Sequence, residues 1–152
     1  MASKKDLLIT GILRQNARIK LTELSRRTGI PVSTLFDRLH DLNSLGVTRL
    51  CAILDFRKLG FNTCATILLK AAKEKRTELK NFLMKSFCVN SLMRINNGYD
   101  FMAECIFCDM RELEEFCEKL EQDYGVRDKE IHFVIDDLKR EMFLSDPLLV
   151  KG

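Results

Sequence analysis

Residues 21–45 read LTELSRRTGIPVSTLFDRLHDLNSL and contain two short helical patterns. In each pattern the apolar residues recur at intervals of three and four, which places them on one face of a helix. These residues are Leu21 and Leu24 in the first pattern and Val32, Leu35, Leu39 and Leu42 in the second. Gly29 between the patterns suits the end of one helix and Pro31 the start of the next, so the stretch predicts a helix-turn-helix.

The sequence on either side extends this unit. Residues 6–16 predict a preceding helix, with four apolar side chains on one stripe: Leu7, Leu8, Ile12 and Leu13. Residues 47–55, VTRLCAILD, are rich in residue types that favour strands. A hairpin directly after the second helix would form a wing with Arg49 facing the flanking phosphates. We also expect three wing residues to close the small core: Val47, Leu50 and Ile53.

The polar face of the second helix carries the candidate base-reading residues. In a helix-turn-helix, the N-terminal polar residues of that helix face base edges in the major groove. Here they are Ser33, Thr34, Asp37 and Arg38. The two hydroxyls can bond to phosphates or bases, and the Arg38 fork matches guanine or phosphate. The alternative is a three-helix packing unit whose polar face meets only water, since Asp37 and Asp41 would repel phosphates.

Charge is unevenly divided along the 152 residues. Residues 1–60 hold 11 basic and 5 acidic residues, a net charge of +6, whereas residues 61–152 hold 14 basic and 17 acidic residues, a net charge of −3. A basic part beside an acidic remainder suggests two modules, of which the first meets a polyanion. Uneven surface charge without a partner is the alternative. With double-stranded DNA as the polyanion, we expect Arg26, Arg27 and Arg49 to neutralise phosphates.

The composition excludes several classes of protein. With 46% hydrophobic residues, 31% charged residues and only 7 Gly and 2 Pro, the chain is neither collagen-like nor largely disordered. No apolar run approaches the roughly 20 residues that a membrane span needs. The N-terminal MASKKD lacks the apolar core of a signal peptide. We therefore expect a cytoplasmic protein that has no membrane partner.

The second part of the chain alternates strand and helix patterns. Residues 61–69 alternate with period two, which predicts a half-buried strand. A helical stripe follows, formed by Leu79, Phe82, Leu83 and Phe87. Two strands (89–95 and 101–108), a helix with apolar residues from Met110 to Leu120, and a last strand (130–136) complete the order. This βαββαβ order predicts a ferredoxin-like domain in an α+β protein. Phe and Ile side chains on the uncovered face of its sheet would pair two copies as a homodimer.

The turn at residues 96–100, NNGYD, is the candidate small-molecule site. Asn97-Gly98 favours positive φ and a tight turn, which leaves backbone N–H groups available to a carboxylate. Tyr99 lies beside them, and Asp100 could hold an ammonium group, so the turn could bind the two ends of an amino acid. An ordinary hairpin turn with a solvated Asp100 is the alternative.

No catalytic or metal-binding constellation is present in the sequence. Six cysteines without a signal peptide are expected to be reduced, buried and structural. Cys105 and Cys108 lie within the predicted strand, and their odd separation sends them to opposite faces, away from a shared metal. The chain contains no phosphate-cradling Gly-rich loop and no nucleophile elbow. We therefore expect no enzyme, no metal and no cofactor.

A set of fragments in register links the two parts. Their order resembles the leucine-responsive and asparagine-synthetase (Lrp/AsnC) family of transcription regulators, over about residues 6–135. The fragments are Arg18-Ile19, Glu23-Leu24-Ser25, Gly29-Ile30, Ser33-Thr34-Leu35, Arg38-Leu39, Leu45-Gly46-Val47, Ala52-Ile53-Leu54-Asp55 and Leu59-Gly60. The chain departs from the family pattern at four places, namely Lys20, Pro31, Asn43 and Arg49-Leu50.

The resemblance implies a domain organisation and a function. We expect a winged helix-turn-helix DNA-binding domain (1–55), a linker (56–60) and a ferredoxin-like effector-binding and oligomerisation domain (61–152). The implied function is sequence-specific regulation of transcription, modulated by an amino acid, in a homodimer that assembles further, for example into an octamer. In the family the turn equivalent to residues 98–100 lines the effector pocket.

The last strand is where the family often places Thr residues near the ligand, and here it offers His132 instead. A surface or packing role is the alternative for His132. The same two-domain architecture resembles that of tetrapyrrole (sirohaem-type) decarboxylases. An enzyme of that kind is the alternative function, and it would need a basic, histidine-lined pocket.

Overall fold

The computed structural model describes residues 3–146, which form two compact units. The first unit spans Met1–Ile53 together with the segment that begins at Leu138, and the second spans Leu54–Asp137. Each unit has its own apolar core. The architecture is α+β, with a helical unit first and a four-stranded antiparallel sheet second, as predicted.

Three helices build the first unit: α1 Lys4–Gln15, α2 Leu21–Thr28 and α3 Val32–His40. Ser3 and Asp6 cap α1 in a reciprocal capping box. Gly29 ends α2 with a φ of 69°, and the Ser25 hydroxyl donates to the Ile30 carbonyl across the turn, 2.6 Å away. The predicted helix-turn-helix is therefore confirmed. Its second helix ends at His40 rather than near residue 45, because residues 41–46 form successive turns.

The predicted wing is not a hairpin in this structure. Residues 47–55 contain no strand, because no strand among residues 3–146 pairs with them and an unpaired strand leaves its backbone groups without partners. Val47 packs against the first core as expected. The expectation was wrong for Leu50 and Ile53, whose residues are 50% and 61% exposed.

The segment after Asp137 packs on α1, although residues 61–152 were expected to form one domain. The Arg14 guanidinium donates to the Glu141 carbonyl (2.6 Å) and to its carboxylate (2.9 Å). Gly11 lets the segment approach closely, since a Cβ at that position would stand 2.8 Å from the Leu144 carbonyl oxygen. A contact of this kind leaves no periodic signal in the sequence. The sequence therefore could not show that the segment after Asp137 packs against the first unit.

The second unit contains four strands, two helices and two short 3₁₀ segments. The elements are Arg57–Leu59 (3₁₀), β1 Thr63–Ala71, Lys73–Lys75 (3₁₀), α4 Arg76–Lys85, β2 Val89–Arg94, β3 Phe101–Phe107, α5 Met110–Tyr124 and β4 Val126–Phe133. The sheet order is β2-β3-β1-β4, and every neighbouring pair is antiparallel. The predicted βαββαβ order is therefore confirmed. Phe61 precedes β1, and Phe87 lies beyond α4 and is 93% exposed, so both departures concern element ends.

The two faces of the sheet differ in composition. One face packs against α4 and α5, and its core includes Ile67, Leu69, Phe101, Phe107, Leu79, Leu83, Leu113 and Leu120. We expected Phe and Ile side chains on the uncovered face, and this was wrong for most of them. They point to the same side of the sheet as Ala65, which is buried under the helices. The face that no helix covers instead carries both apolar and polar side chains, among them Thr66, Leu68, Met102, Glu104, Ile106 and His132.

Candidate functional site

One face of α3 presents an exposed polar surface. Ser33, Thr34 and Asp37 are exposed, and among residues 3–146 none of the three side chains makes a hydrogen bond or ion pair. The helix is held by Leu35, which is fully buried in the core of the first unit. Phe36 was not singled out from the sequence, yet it is 51% exposed beside these residues and its ring lies 4.6 Å from that of His40. Its absence from the apolar stripe was the available signal.

Arg38 has a different environment from its predicted neighbours. Its guanidinium forms an ion pair with the Asp6 carboxylate on α1, and this side chain of Asp6 is only 12% exposed. The same carboxylate accepts hydrogen bonds from the Ser3 hydroxyl (2.6 Å) and backbone N–H (3.2 Å). These Ser3 bonds, with a smaller contribution from Arg38, hold the pKa of Asp6 below its usual value. Arg38 thus joins α3 to α1 through Nη1, while its side chain remains 46% exposed.

The other predicted cations divide into paired and unpaired groups. Arg26 forms a bidentate pair with Glu23, with bonds of 2.9 and 2.7 Å, and this contact lowers the pKa of the Glu23 carboxyl. Arg27 donates to the neutral Gln15 side chain at 3.1 Å and makes no ion pair among residues 3–146. Arg49 is exposed and has no ion pair among the described residues. Of the three predicted phosphate contacts, Arg27 and Arg49 are therefore the two whose charges are not neutralised by an ion pair within the described residues.

The turn between β2 and β3 has the predicted backbone. Asn97 and Gly98 have φ values of 65° and 100°, and the Ile95 N–H donates to the Asp100 carbonyl at 3.1 Å. Within residues 3–146, the N–H groups of residues 97–99 make no backbone hydrogen bond. The turn therefore offers donors of the kind that a carboxylate accepts.

The Asp100 carboxylate already has partners within the second unit. One oxygen accepts from the Ala71 N–H at 3.0 Å, and the other pairs with the Arg76 guanidinium at 2.8 Å. The Asp100 N–H donates to the Leu69 carbonyl at 2.8 Å, and the side chain is only 15% exposed. Asp100 thus fixes the turn to the end of β1 and the start of α4. A ligand ammonium group would therefore share this carboxylate with Arg76 or compete with it.

Tyr99 and His132 meet at a residue that sequence reasoning missed. The Tyr99 hydroxyl donates to the Glu130 carboxylate at 3.2 Å, and His132 Nε2 lies 3.0 Å from the other oxygen of Glu130. Partial burial, followed by the contact with Glu130, raises the pKa of the Tyr99 hydroxyl. Glu130 stands two residues before His132 on β4, and this same-face spacing was the available signal. The predicted effector residues therefore form two groups, one at Glu130 and one at Arg76.

The described residues show neither a disulfide nor a metal site at the cysteines. All six cysteines are free thiols. Cys105 is buried on β3, whereas Cys108 lies just beyond the end of that strand and is exposed. Among residues 3–146, no group of three His, Cys, Asp or Glu side chains is arranged to hold a metal ion. No helix in this part of the chain is both long and apolar enough to cross a bilayer.

Two family models match successive parts of the chain. The family model described as the Lrp/AsnC ligand binding domain matches residues 64–144, and a winged helix-turn-helix DNA-binding model matches residues 3–47. An uncharacterised HTH-type transcriptional regulator of Pyrococcus abyssi is 23% identical over 95% of this chain and 99% of its own length. The HTH-type transcriptional regulator FL11 of Pyrococcus furiosus is 28% identical over 80% of this chain and 81% of its own.

Solved structures give the same result. A transcriptional regulator of Neisseria meningitidis, determined as a complex with L-Met, is similar with a TM-score of 0.83 and 26% identity, over 92% of this chain and 94% of that one. LrpC of Bacillus subtilis has the same fold, with a TM-score of 0.82 at 17% identity, over 91% of this chain and 98% of that one. The protein thus belongs to the Lrp/AsnC family of DNA-binding transcription regulators.

Proposed function

We propose that the exposed half of α3 reads DNA sequence through Ser33, Thr34 and Asp37. The supporting observation is that these side chains are exposed and have no partner among the described residues, while buried Leu35 holds the helix beneath them. Asp37 can accept from a cytosine amine, and the hydroxyls can bond to bases or phosphates. Arg38 acts through Asp6 as a positioning residue that sets the angle of α3 on α1.

Arg27 and Arg49 supply the phosphate contacts in this proposal, and Arg26 contributes less because Glu23 neutralises it. Replacing either Arg27 or Arg49 with Gln should lower the slope of log affinity against log salt by about one. Arg26→Gln is the matched control on the same helix and should change the slope less. An unchanged slope in R27Q and R49Q would remove both residues from the interface.

One experiment tests the function as a whole. Bound fragments are selected from random duplexes with the full chain, first alone and then with an amino-acid mixture. We expect a palindromic consensus, because a symmetric dimer recognises two related half-sites. Failure to enrich any sequence would contradict sequence-specific regulation by this chain. A consensus or affinity that changes with the mixture would support an amino-acid effector.

The effector that we propose is an amino acid at the turn of residues 97–100. Support comes from the free N–H groups of the turn, from the adjacent Asp100 carboxylate and from the L-Met complex of the Neisseria relative. The carboxylate of the amino acid would meet the N–H groups, while its ammonium group would compete with Arg76 for Asp100. Tyr99 and His132 would border the site from the Glu130 side. Asp100→Asn should abolish any shift in melting temperature that an amino acid causes, and persistence of that shift would relocate the site.

Assembly and cellular role follow from the family. We expect a homodimer formed through the uncovered face of the sheet, with higher assemblies such as an octamer, and a location in the cytoplasm with the DNA. Leu68→Glu on that face should convert the dimer to a monomer in light scattering, whereas Lys70→Glu at the same parity near the strand end is the control. We expect no decarboxylase activity, because the family models that match the chain describe DNA binding and ligand binding.

A further inference from the structure

A groove of about 790 Å³ opens between α4 and the edge strand β2, on the helix-covered side of the sheet. Small-molecule sites in proteins commonly have volumes of about 300–1,000 Å³. The groove lies away from the uncovered face to which we assign dimerisation, and it does not include residues 97–99. Arg76, which pairs with Asp100, is the one lining residue that it shares with the proposed effector site, and the proposed DNA contacts include none of its lining residues.

Every charged side chain that lines this groove is cationic. The four are Lys73, Arg76, Lys80 and Arg94. Arg76 is paired with Asp100, but Lys73, Lys80 and Arg94 make no ion pair among residues 3–146. Like charges gathered around one concavity repel one another, and the low-dielectric wall beside them strengthens that repulsion. Binding of an anion would relieve this repulsion and so lower the free energy of the protein.

The base of the groove is apolar. Leu83 is fully buried and Phe101 is 6% exposed, and both contribute to the lining together with Leu92. Asn81 and Asn90 add neutral polar groups. A bare inorganic anion would leave the apolar base in contact with water. A nucleic-acid backbone binds mainly through its phosphates and would likewise leave the apolar base uncovered. The combination fits a molecule that has both charge and an apolar body.

We infer that the groove between α4 and β2 binds a small organic molecule that carries two negative charges on an apolar body. Carboxylate and phosphate groups share the chemistry that Arg and Lys recognise. The bound anion would also attract Arg76, which Asp100 holds at 2.8 Å. Occupation of the groove would then loosen the contact between α4 and the turn of residues 96–100.

The test is calorimetric titration of the full chain with phenyl phosphate and with phenylsuccinate, two dianions that carry the same ring. Benzyl alcohol supplies the ring without charge, and sulfate supplies charge without the ring. We expect at least one dianion to bind about tenfold more tightly than either fragment, because both parts of the groove are then used. The preferred dianion distinguishes a phosphate ligand from a carboxylate ligand.

Charge-removing variants locate the binding. The double variant K80Q/R94Q should lose about tenfold or more in affinity for the preferred dianion. Lys85→Gln, exposed at the end of the same helix and outside the groove, should change it less than about twofold. Both variants should keep their affinity for the selected DNA duplex, which reports folding and separates this proposal from DNA recognition. Absence of dianion binding, equal binding of sulfate, or full affinity in K80Q/R94Q would overturn the inference.

Discussion

The polar face of α3 and the turn between β2 and β3 differ in how far their side chains are already occupied. On α3, Ser33, Thr34 and Asp37 have no hydrogen-bond partner among residues 3–146, whereas at the turn Asp100 has both carboxylate oxygens engaged. A surface with free groups can meet a partner without rearrangement. A carboxylate that already pairs with Arg76 offers a second cation a competed site, so we propose that occupation of Asp100 is conditional. We therefore expect constant readiness for DNA and switchable behaviour at the turn.

The largest expected effect separates the buried side of α3 from its exposed side. Leu35→Ala should lower the free energy of unfolding by about 2–5 kcal/mol, because Leu35 is fully buried and its removal leaves a cavity. Phe36→Ala is the matched change on the exposed side and should alter stability by less than about 0.5 kcal/mol. Chemical denaturation measures both. Comparable losses in the two variants would contradict the division of the helix into a core face and a free face.

The next effect tests whether Asp100 is saturated as the structure indicates. Asp100→Ala should cost about 1–3 kcal/mol of stability, because the buried Ala71 N–H loses its acceptor and Arg76 loses its partner. Asp128→Ala, an exposed position on β4, is the control and should be close to neutral. If D100A were as stable as the D128A control, the carboxylate would be a free ligand-binding group and the contrast with α3 would disappear.

The sequence predicted the parts of the fold that depend on periodicity. The three helices of the first unit and the βαββαβ order of the second follow from apolar spacing, which packing then reinforces. The wing at 47–55 was wrong because β-propensity does not supply a pairing partner. The segment after Asp137 meets α1 at Gly11 and through the two bonds from Arg14 to Glu141, and none of these contacts leaves a periodic trace in the sequence.

Residue types on α3 could be predicted, but their occupancy could not. Ser33, Thr34, Asp37 and Arg38 lie on the polar face as expected, yet Arg38 differs from the others because Asp6, 32 positions earlier, reaches it in the fold. Spacing within one helix carries no information about such a distant partner. The same holds for Asp100, whose partners Ala71 and Arg76 lie on other elements.

A smaller effect on stability is expected at Gly11, where the segment after Asp137 packs against α1. In an exposed helix Gly→Ala commonly adds about 1 kcal/mol of stability. At Gly11 we expect no such gain, since the new Cβ would stand 2.8 Å from the backbone oxygen of Leu144. Limited proteolysis should show earlier cleavage after residue 137 in G11A. Arg14→Ala, which removes the bonds to Glu141 and changes helix propensity only slightly, should give the same cleavage pattern. Unchanged proteolysis in both variants would show that this segment does not depend on α1.

The smallest effect concerns the link that separates Arg38 from the free residues of α3. The pKa of Asp6 is lowered from 3.8 in the folded chain, chiefly by Ser3 and then by Arg38, so its ionised form stabilises the fold above that value. This contribution should be lost as the pH falls through the lowered pKa. Asp6→Asn should therefore be less stable than the parent near neutral pH, and the difference should shrink in acid. Asp37→Asn, which alters an exposed carboxylate of α3, is the control and should leave stability near that of the parent. Because Arg38 positions α3 through this contact, D6N should reduce affinity for all duplexes alike, whereas D37N should reduce discrimination among them. The opposite pattern would return Arg38 to the bases.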